Sequence, residues 1–172
     1  MASADISIHR ANAEDAPALA SLGATTFTET FGHLYPPEDL QAFLTSSHSV
    51  QAWKRTLADS ARAVWIARLD QAPIGFIVVG ACKLPVENCE ASAGEVQQLY
   101  VLSQYQKLQL GTRLMELGLN WLEAQHRTPI YIGVWSENYG AQRFYGRYGF
   151  QKFGEYGFPV GQTVDREFIF KR

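Results

Sequence analysis

Between Glu95 and Arg147 the apolar pattern changes period from strand to helix to strand to helix, and this succession constrains the fold more than any other feature of the chain. Glu95-Val96-Gln97-Gln98-Leu99-Tyr100-Val101 reads as a strand. Leu110, Leu114, Leu117 and Trp121 then recur at helical spacing, with Met115 and Leu122 widening the stripe. Pro129 punctuates that helix, Ile130–Trp135 returns to a strand, and Asn138 to Arg147 suits a short helix before Gly149. A β-loop-α-β-α succession implies a mixed α/β architecture.

The flanking segments extend it. Ile6–Arg10 alternates like a half-buried strand, and Asn12 offers an N-cap for a helix running to about Thr26. Pro36-Pro37-Glu38-Asp39 suggests a turn into a helix over Leu40–Leu44, and Ser49–Leu57 a further helical segment. Ala63–Ala67 and Ile74–Val79 form a hairpin whose turn is Asp70-Gln71-Ala72-Pro73. Residues 81–94, with Pro85 and Asn88, suit an exposed loop, and Asp165–Phe170 alternates as a closing strand. With 47% apolar residues, 172 residues suffice for one substantial core, and no linker or repeat divides them, so residues 1–172 are expected to form a single domain.

Charge narrows the partners. Fifteen basic and 17 acidic residues give a net charge of −2 with no basic run, which argues against nucleic acid and anionic membrane as partners. Met1-Ala2-Ser3-Ala4-Asp5 has no leader character, and no stretch of about 18 apolar residues suggests a membrane span, so a cytoplasmic protein is expected. Cys82 and Cys89 read as free thiols, and His9, His33, His48 and His126 lack metal-ligand spacing; no metal is expected.

Chemistry concentrates at two places. Val101 to Thr112 joins a strand to a helix, where unpaired amides and the helix dipole converge on one point that attracts phosphate. Gly111 lets the main chain approach an anion, and Lys107 and Arg113 add charge. Spacing alone favours an ordinary strand-to-helix turn. Farther on, Asn138, Ala141 and Tyr145 share one helix face and can line one wall, whereas Phe144 reads as core.

These two segments resemble the GNAT superfamily of N-acetyltransferases. Gln106, Gln109 and Gly111 occupy the positions of its pyrophosphate signature, with Gln109 where the family usually has glycine. The run from Val134 to Phe150 repeats the family's pattern of Asn138, Ala141, Tyr145 and Gly149-Phe150. The resemblance implies a single α/β (α+β) domain with a mixed, mostly antiparallel sheet of about six or seven strands and helices on both faces. It also implies acetyl-coenzyme A as co-substrate, held by Gln106, Lys107, Leu108, Gln109, Leu110, Gly111 and Thr112. Main-chain groups of Leu99, Tyr100 and Val101 would pair with the pantetheine arm, and Asn138 would contact the cofactor. The Tyr145 phenol would protonate the departing thiolate.

Acyl transfer to an amine needs a held thioester and a route for the ammonium proton but no covalent enzyme intermediate, and neither cysteine adjoins a His and carboxylate set. Direct transfer is therefore expected, with Glu95 as the leading general base and Glu29 and Glu137 as alternatives. Thr26–Phe31, Gly133-Val134-Trp135 and Gly157–Gly161 are similar to bacterial polyamine acetyltransferases, which implies spermidine or spermine as acceptor. Phe27, Glu29, Phe31, Tyr35 and Trp135, with Asp39, would then surround a cationic amine. Alternatives are a protein N-terminus, an amino acid or an aminoglycoside as acceptor, and, in another class, a non-catalytic acyl-coenzyme A sensor. A monomer or homodimer is expected.

Overall fold

In the computed structural model, which describes residues 5–172, the chain begins on strand β1 (Ile6–Arg10). Met1–Ala4, and with them the expectation about a leader, lie outside the described residues. The Asn12 side chain accepts the Glu14 amide at 2.9 Å while Asp15 accepts the Asn12 amide, so the expected cap closes a 3-10 turn, Ala13–Asp15. Helix α1 (Ala16–Phe31) follows and runs five residues beyond the expected end at Thr26. Thr26, Thr28 and Thr30 turn their hydroxyls back to carbonyls four residues earlier, so these residues remain helical.

Helix α2 (Pro37–Ser47) begins on proline, and α3 (Val50–Ala58) is capped by Ser49, whose hydroxyl accepts the Ala52 amide at 3.1 Å. Strands β2 (Arg62–Leu69) and β3 (Ala72–Ala81) form the expected hairpin, but its turn is only Asp70-Gln71, with φ of 47° and 78°. Ala72 and Pro73 already belong to β3; Pro73 pairs with Arg68 where the register shifts, a position that tolerates a missing amide. After the loop come β4 (Gly94–Val101), a 3-10 turn (Ser103–Leu108), α4 (Leu110–Ala124), β5 (Ile130–Trp135) and α5 (Tyr139–Gly146).

The last two strands, β6 (Gln151–Val160) and β7 (Thr163–Lys171), form a long hairpin of which only the second half was legible. Gly154, Gly157 and Pro159 interrupt the pattern of β6, and an edge strand accommodates such residues because one of its rims needs no partner. The seven strands lie in the order β1-β2-β3-β4-β5-β7-β6, antiparallel except for β4 beside β5. Alternate residues of the sheet feed its two faces. Val64, Ile66, Phe76 and Val78 pack under α1 and α3 with Leu19, Leu22 and Trp53; Ile77, Val79 and Val96 pack under α4 with Leu114, Met115 and Leu122. Gly118 permits a close approach, since a Cβ there would stand 2.7 Å from Ile77. The helix start is thereby fixed relative to the sheet.

Candidate active site

The site originates in an unfinished strand pairing. β4 and β5 are joined only from Gly94 to Val96 against Ile130 to Ile132. At that point β4 bulges: Val79 faces Val96 but Val78 faces Gln98, leaving Gln97 extra, its side-chain Nε2 donating to the Ala81 carbonyl at 3.1 Å. Beyond the bulge β4 stays on β3 and β5 stays on β7, so the two strands diverge and their facing main-chain edges are unpaired by each other. A cavity of about 1000 Å³ follows this gap, lined along its length by Glu95–Val101 and Ile132–Trp135.

One end of the cavity is the strand-to-helix turn. Gln109 sits in the left-handed region at φ 55°, ψ 20°, the conformation that turns the chain into α4. No side chain caps α4, and its first main-chain bond runs from the Arg113 amide to the Gln109 carbonyl at 3.2 Å, so the amides of Leu110, Gly111 and Thr112 have no helical acceptor. A Cβ on Gly111 would meet the Phe144 ring at 3.7 Å, ordinary van der Waals contact, so nothing in the protein requires glycine there. Gln106, Lys107, Gln109, Gly111 and Thr112 line the cavity. Leu108 is half exposed and outside it, and the Leu110 side chain is buried in the core, so of these two only main-chain groups are available.

Asn138 and Tyr145 project from α5 into the same cavity. The Asn138 side chain accepts the Ala141 amide at 3.1 Å, so its oxygen caps the helix and its amide nitrogen is left to face the cavity. Tyr145 is buried; burial first, then the charge of Glu167, raises its phenol above the ordinary value and keeps it protonated. Phe144, expected in the core, packs there and also lines the cavity, with the Arg147 guanidinium 5.1 Å above its ring.

The other end is acidic and aromatic. Phe27, Phe31, Tyr35, Phe43, Trp135 and Phe158 line it, with Phe27 4.5 Å from Phe43 and Phe31 5.9 Å from Trp135 between ring centres. Glu95 is only 6% exposed, and burial pushes its carboxyl up to about 7 against the pull of backbone amides at Lys83-Leu84 and the charge of Arg62. The Lys83 amide donates to it at 2.7 Å. Glu167, on β7, is 8% exposed and is likewise pushed up to about 7, by burial and then by the neighbouring charge of Asp165. His48, also on the wall, is held neutral, its imidazole pushed down to about 4 by burial.

Phe27, Phe31, Tyr35 and Trp135, and with them Glu95, all line this one cavity. Glu29 does not: it is exposed on α1 and accepts the Ser103 amide at 3.0 Å. Glu137 is exposed and lies off the cavity wall, and Asp39 rests against Gly161 in the β6–β7 turn. Glu167 was not singled out. Its signal was the alternation that puts Asp165 and Glu167 on the same face as buried Ile169. Among the described residues there is no group of three or more His, Cys, Asp or Glu that could hold a metal, and no helix long and apolar enough to cross a membrane.

Residues 24–150 match the model of the acetyltransferase (GNAT) family. The chain is 23% identical over 167 residues to an uncharacterised N-acetyltransferase encoded in the pepI 3' region of Lactobacillus delbrueckii subsp. lactis, covering 97% of this chain and 96% of that protein. It is 26% identical over 158 residues to an uncharacterised N-acetyltransferase of Mycobacterium tuberculosis, covering 92% and 97%. Among solved structures, PaiA N-acetyltransferase from Thermoplasma acidophilum, in complex with coenzyme A, superposes with a TM-score of 0.78 at 19% identity over 98% of each chain. The ribosomal-protein-S18-alanine N-acetyltransferase of Escherichia coli superposes at 0.70 with 15% identity, over 97% of this chain and 92% of that one.

Proposed function

The chain belongs to the acetyltransferase (GNAT) family and is an acyltransferase, and on that premise we propose that it moves the acetyl group of acetyl-coenzyme A directly to a primary amine, a polyamine such as spermidine or spermine. The observation that carries this reading is the polarity of one continuous cavity. Open amides, Lys107 and Arg147 line the turn at one end; Glu95, Glu167 and a set of aromatic rings line the other. A polyanionic donor and a cationic acceptor are attracted to opposite ends of such a cavity.

The residues present suit coenzyme A. The unclaimed amides at the start of α4 and the missing side chain of Gly111 fit a pyrophosphate, and the β4 edge over Leu99–Val101 that β5 leaves free fits the amides of the pantetheine arm, the Val101 carbonyl already receiving the Gln106 side-chain amide at 3.2 Å. When bound, acetyl-coenzyme A supplies the activated thioester. In this reading Tyr145, neutral and buried, holds the proton for the departing sulfur. Glu95, ionising near neutrality, accepts the ammonium proton directly or through water. The aromatic rings at the acidic end hold the aliphatic and cationic parts of the acceptor.

A panel of amines tests the assignment: spermidine, spermine, free amino acids, an aminoglycoside and a peptide with a free N-terminus, each with acetyl-coenzyme A, followed by thiol release and product mass. Acetylated spermidine or spermine is the expected product. Turnover confined to another member of the panel would discard the polyamine acceptor, and thiol release with no acetylated amine would discard amine transfer.

A further inference from the structure

Strands β5, β7 and β6 place three side chains in one row. Trp135 on β5 stands opposite Glu167 on β7, and Glu167 stands opposite Tyr156 on β6. Directly opposed residues of antiparallel strands share a face, and all three line the cavity. The absence of a side chain at Gly133 makes the row possible: a Cβ there would stand 2.8 Å from the Tyr156 hydroxyl oxygen. The phenols of Tyr100, Tyr145 and Tyr156 are all raised by burial and further by the charge of Glu167, so this carboxylate lies within reach of the proposed proton donor as well as among the aromatic residues.

Three carboxylates are buried around this part of the molecule, and two are committed to protein donors. Glu95 receives the Lys83 amide, and Asp165 receives the Tyr35 hydroxyl. Glu167 receives none among the described residues, and its only charged neighbour of consequence is another anion, Asp165. The nearest cation along the chain, Arg166, points to the opposite face and is held by Glu155 at 2.7 and 2.9 Å. A buried carboxylate with neither donor nor counter-ion is costly unless something from outside completes it. The complement it lacks is a cation that also donates hydrogen bonds, set among aromatic faces.

We propose that Glu167 is the residue that binds the ammonium group of the acceptor, forming with Trp135 and Tyr156 a subsite for aliphatic di- and polyamines. The assignment rests on the reading of this cavity as an amine-acetylating site. It separates two roles: Glu167 binds the acceptor, whereas Glu95 is left to take its proton.

The test is calorimetric binding of spermidine to the protein saturated with coenzyme A, which requires no turnover. Wild-type protein should bind spermidine, and Glu167→Gln should weaken that binding roughly ten- to hundredfold while leaving coenzyme A affinity within about twofold. Glu167→Asp, which keeps the charge, should restore part of the loss, and Glu137→Gln, at an exposed carboxylate off the cavity wall, should stay within about threefold of wild type. Failure of wild type to bind spermidine, a Glu167→Gln affinity close to wild type, or an equal loss in Glu167→Asp and Glu167→Gln would each overturn the proposal. Glu167-dependent binding without any acetylated product would leave the subsite standing and discard the acetyl-transfer reading instead.

Discussion

Glu29 reaches from α1 past the C-terminal end of β4 to the main-chain amide of Ser103, 3.0 Å away, the first residue of the turn that leads into α4. It thereby links the helical layer on one face of the sheet to the segment that presents open amides to the cavity. A carboxylate in this place acts as a cap and leaves the acceptor end to other residues.

Glu29→Ala is accordingly expected to cost about 1 kcal/mol of stability, the usual value of a lost capping interaction. Its kinetic effect should fall on the donor: KM for acetyl-coenzyme A should rise while KM for the amine stays unchanged. Thermal melts and two-substrate kinetics measure both. An amine-selective defect would return Glu29 to the acceptor site.

Gln109 occupies a left-handed conformation at φ 55° that disfavours any side chain, whereas Gly111, two residues later, has ordinary backbone geometry and a Cβ position that would touch only the Phe144 ring, at ordinary contact distance. The two positions should respond in opposite ways. Gln109→Gly relieves strain of about 1 kcal/mol, partly offset by unfolded-chain entropy, and should raise Tm by at most about 4 °C. Gly111→Ala should leave Tm unchanged or slightly higher, because alanine favours the helix, yet weaken coenzyme A binding by roughly tenfold through the methyl group placed where the pyrophosphate approaches. Unaltered coenzyme A affinity in Gly111→Ala would remove the cradle from this turn.

Much of this arrangement was legible in the sequence because period is a local property. The β4-to-α5 succession, the Asn138–Ala141–Tyr145 face and the Asn12 cap depend on residues two to four apart. What was not legible depends on strands that meet only in the folded sheet. β6 was hidden by Gly154, Gly157 and Pro159, which an edge position excuses, and edge positions are known only from the strand order. Glu167 appeared as one polar residue of an alternating strand; its isolation becomes visible when β7 is seen between Trp135 and Tyr156. Glu29 carried the right chemistry for a cationic acceptor but lies on the wrong side of α1 for the cavity.

The two buried glutamates give stability a defined pH dependence. Each carboxyl, near 7 in the folded protein against 4.5 ordinarily, holds a proton that the unfolded chain has already released. Their contribution is therefore full below pH 4.5 and is lost as the pH rises through about 7. His48 acts in the opposite sense: at about 4 when folded against 6.5 ordinarily, it stabilises above pH 6.5 and that contribution is lost as the pH falls toward 4. Comparing variant with wild type isolates one group. Glu167→Gln should melt close to wild type at pH 4.5 and above it at pH 8, the gap opening between those values to at most about 3 kcal/mol. A gap independent of pH would show that Glu167 does not titrate in this range.

Tyr145 gives the sharpest separation between catalysis and mere cofactor binding. Its phenol lies on the cavity wall, is buried and stays protonated, and its ring packs against Phe144 at 5.6 Å and Phe150 at 6.4 Å between centres. Removing only the hydroxyl leaves that packing intact, so Tyr145→Phe should retain wild-type stability and coenzyme A affinity. If the hydroxyl supplies the proton to the departing thiolate, kcat should fall by about 100-fold or more, the range typical of a lost general acid, with little change in KM for either substrate. Rapid-mix single-turnover kinetics read the acetyl-transfer step directly and exclude a change confined to product release. A wild-type protein that binds acetyl-coenzyme A but has no transfer for Tyr145→Phe to lose would be a sensor of acyl-coenzyme A, whereas a Tyr145→Phe variant with undiminished kcat would assign the proton to water or to another phenol of the cavity, Tyr100 or Tyr156, both of which burial also holds protonated.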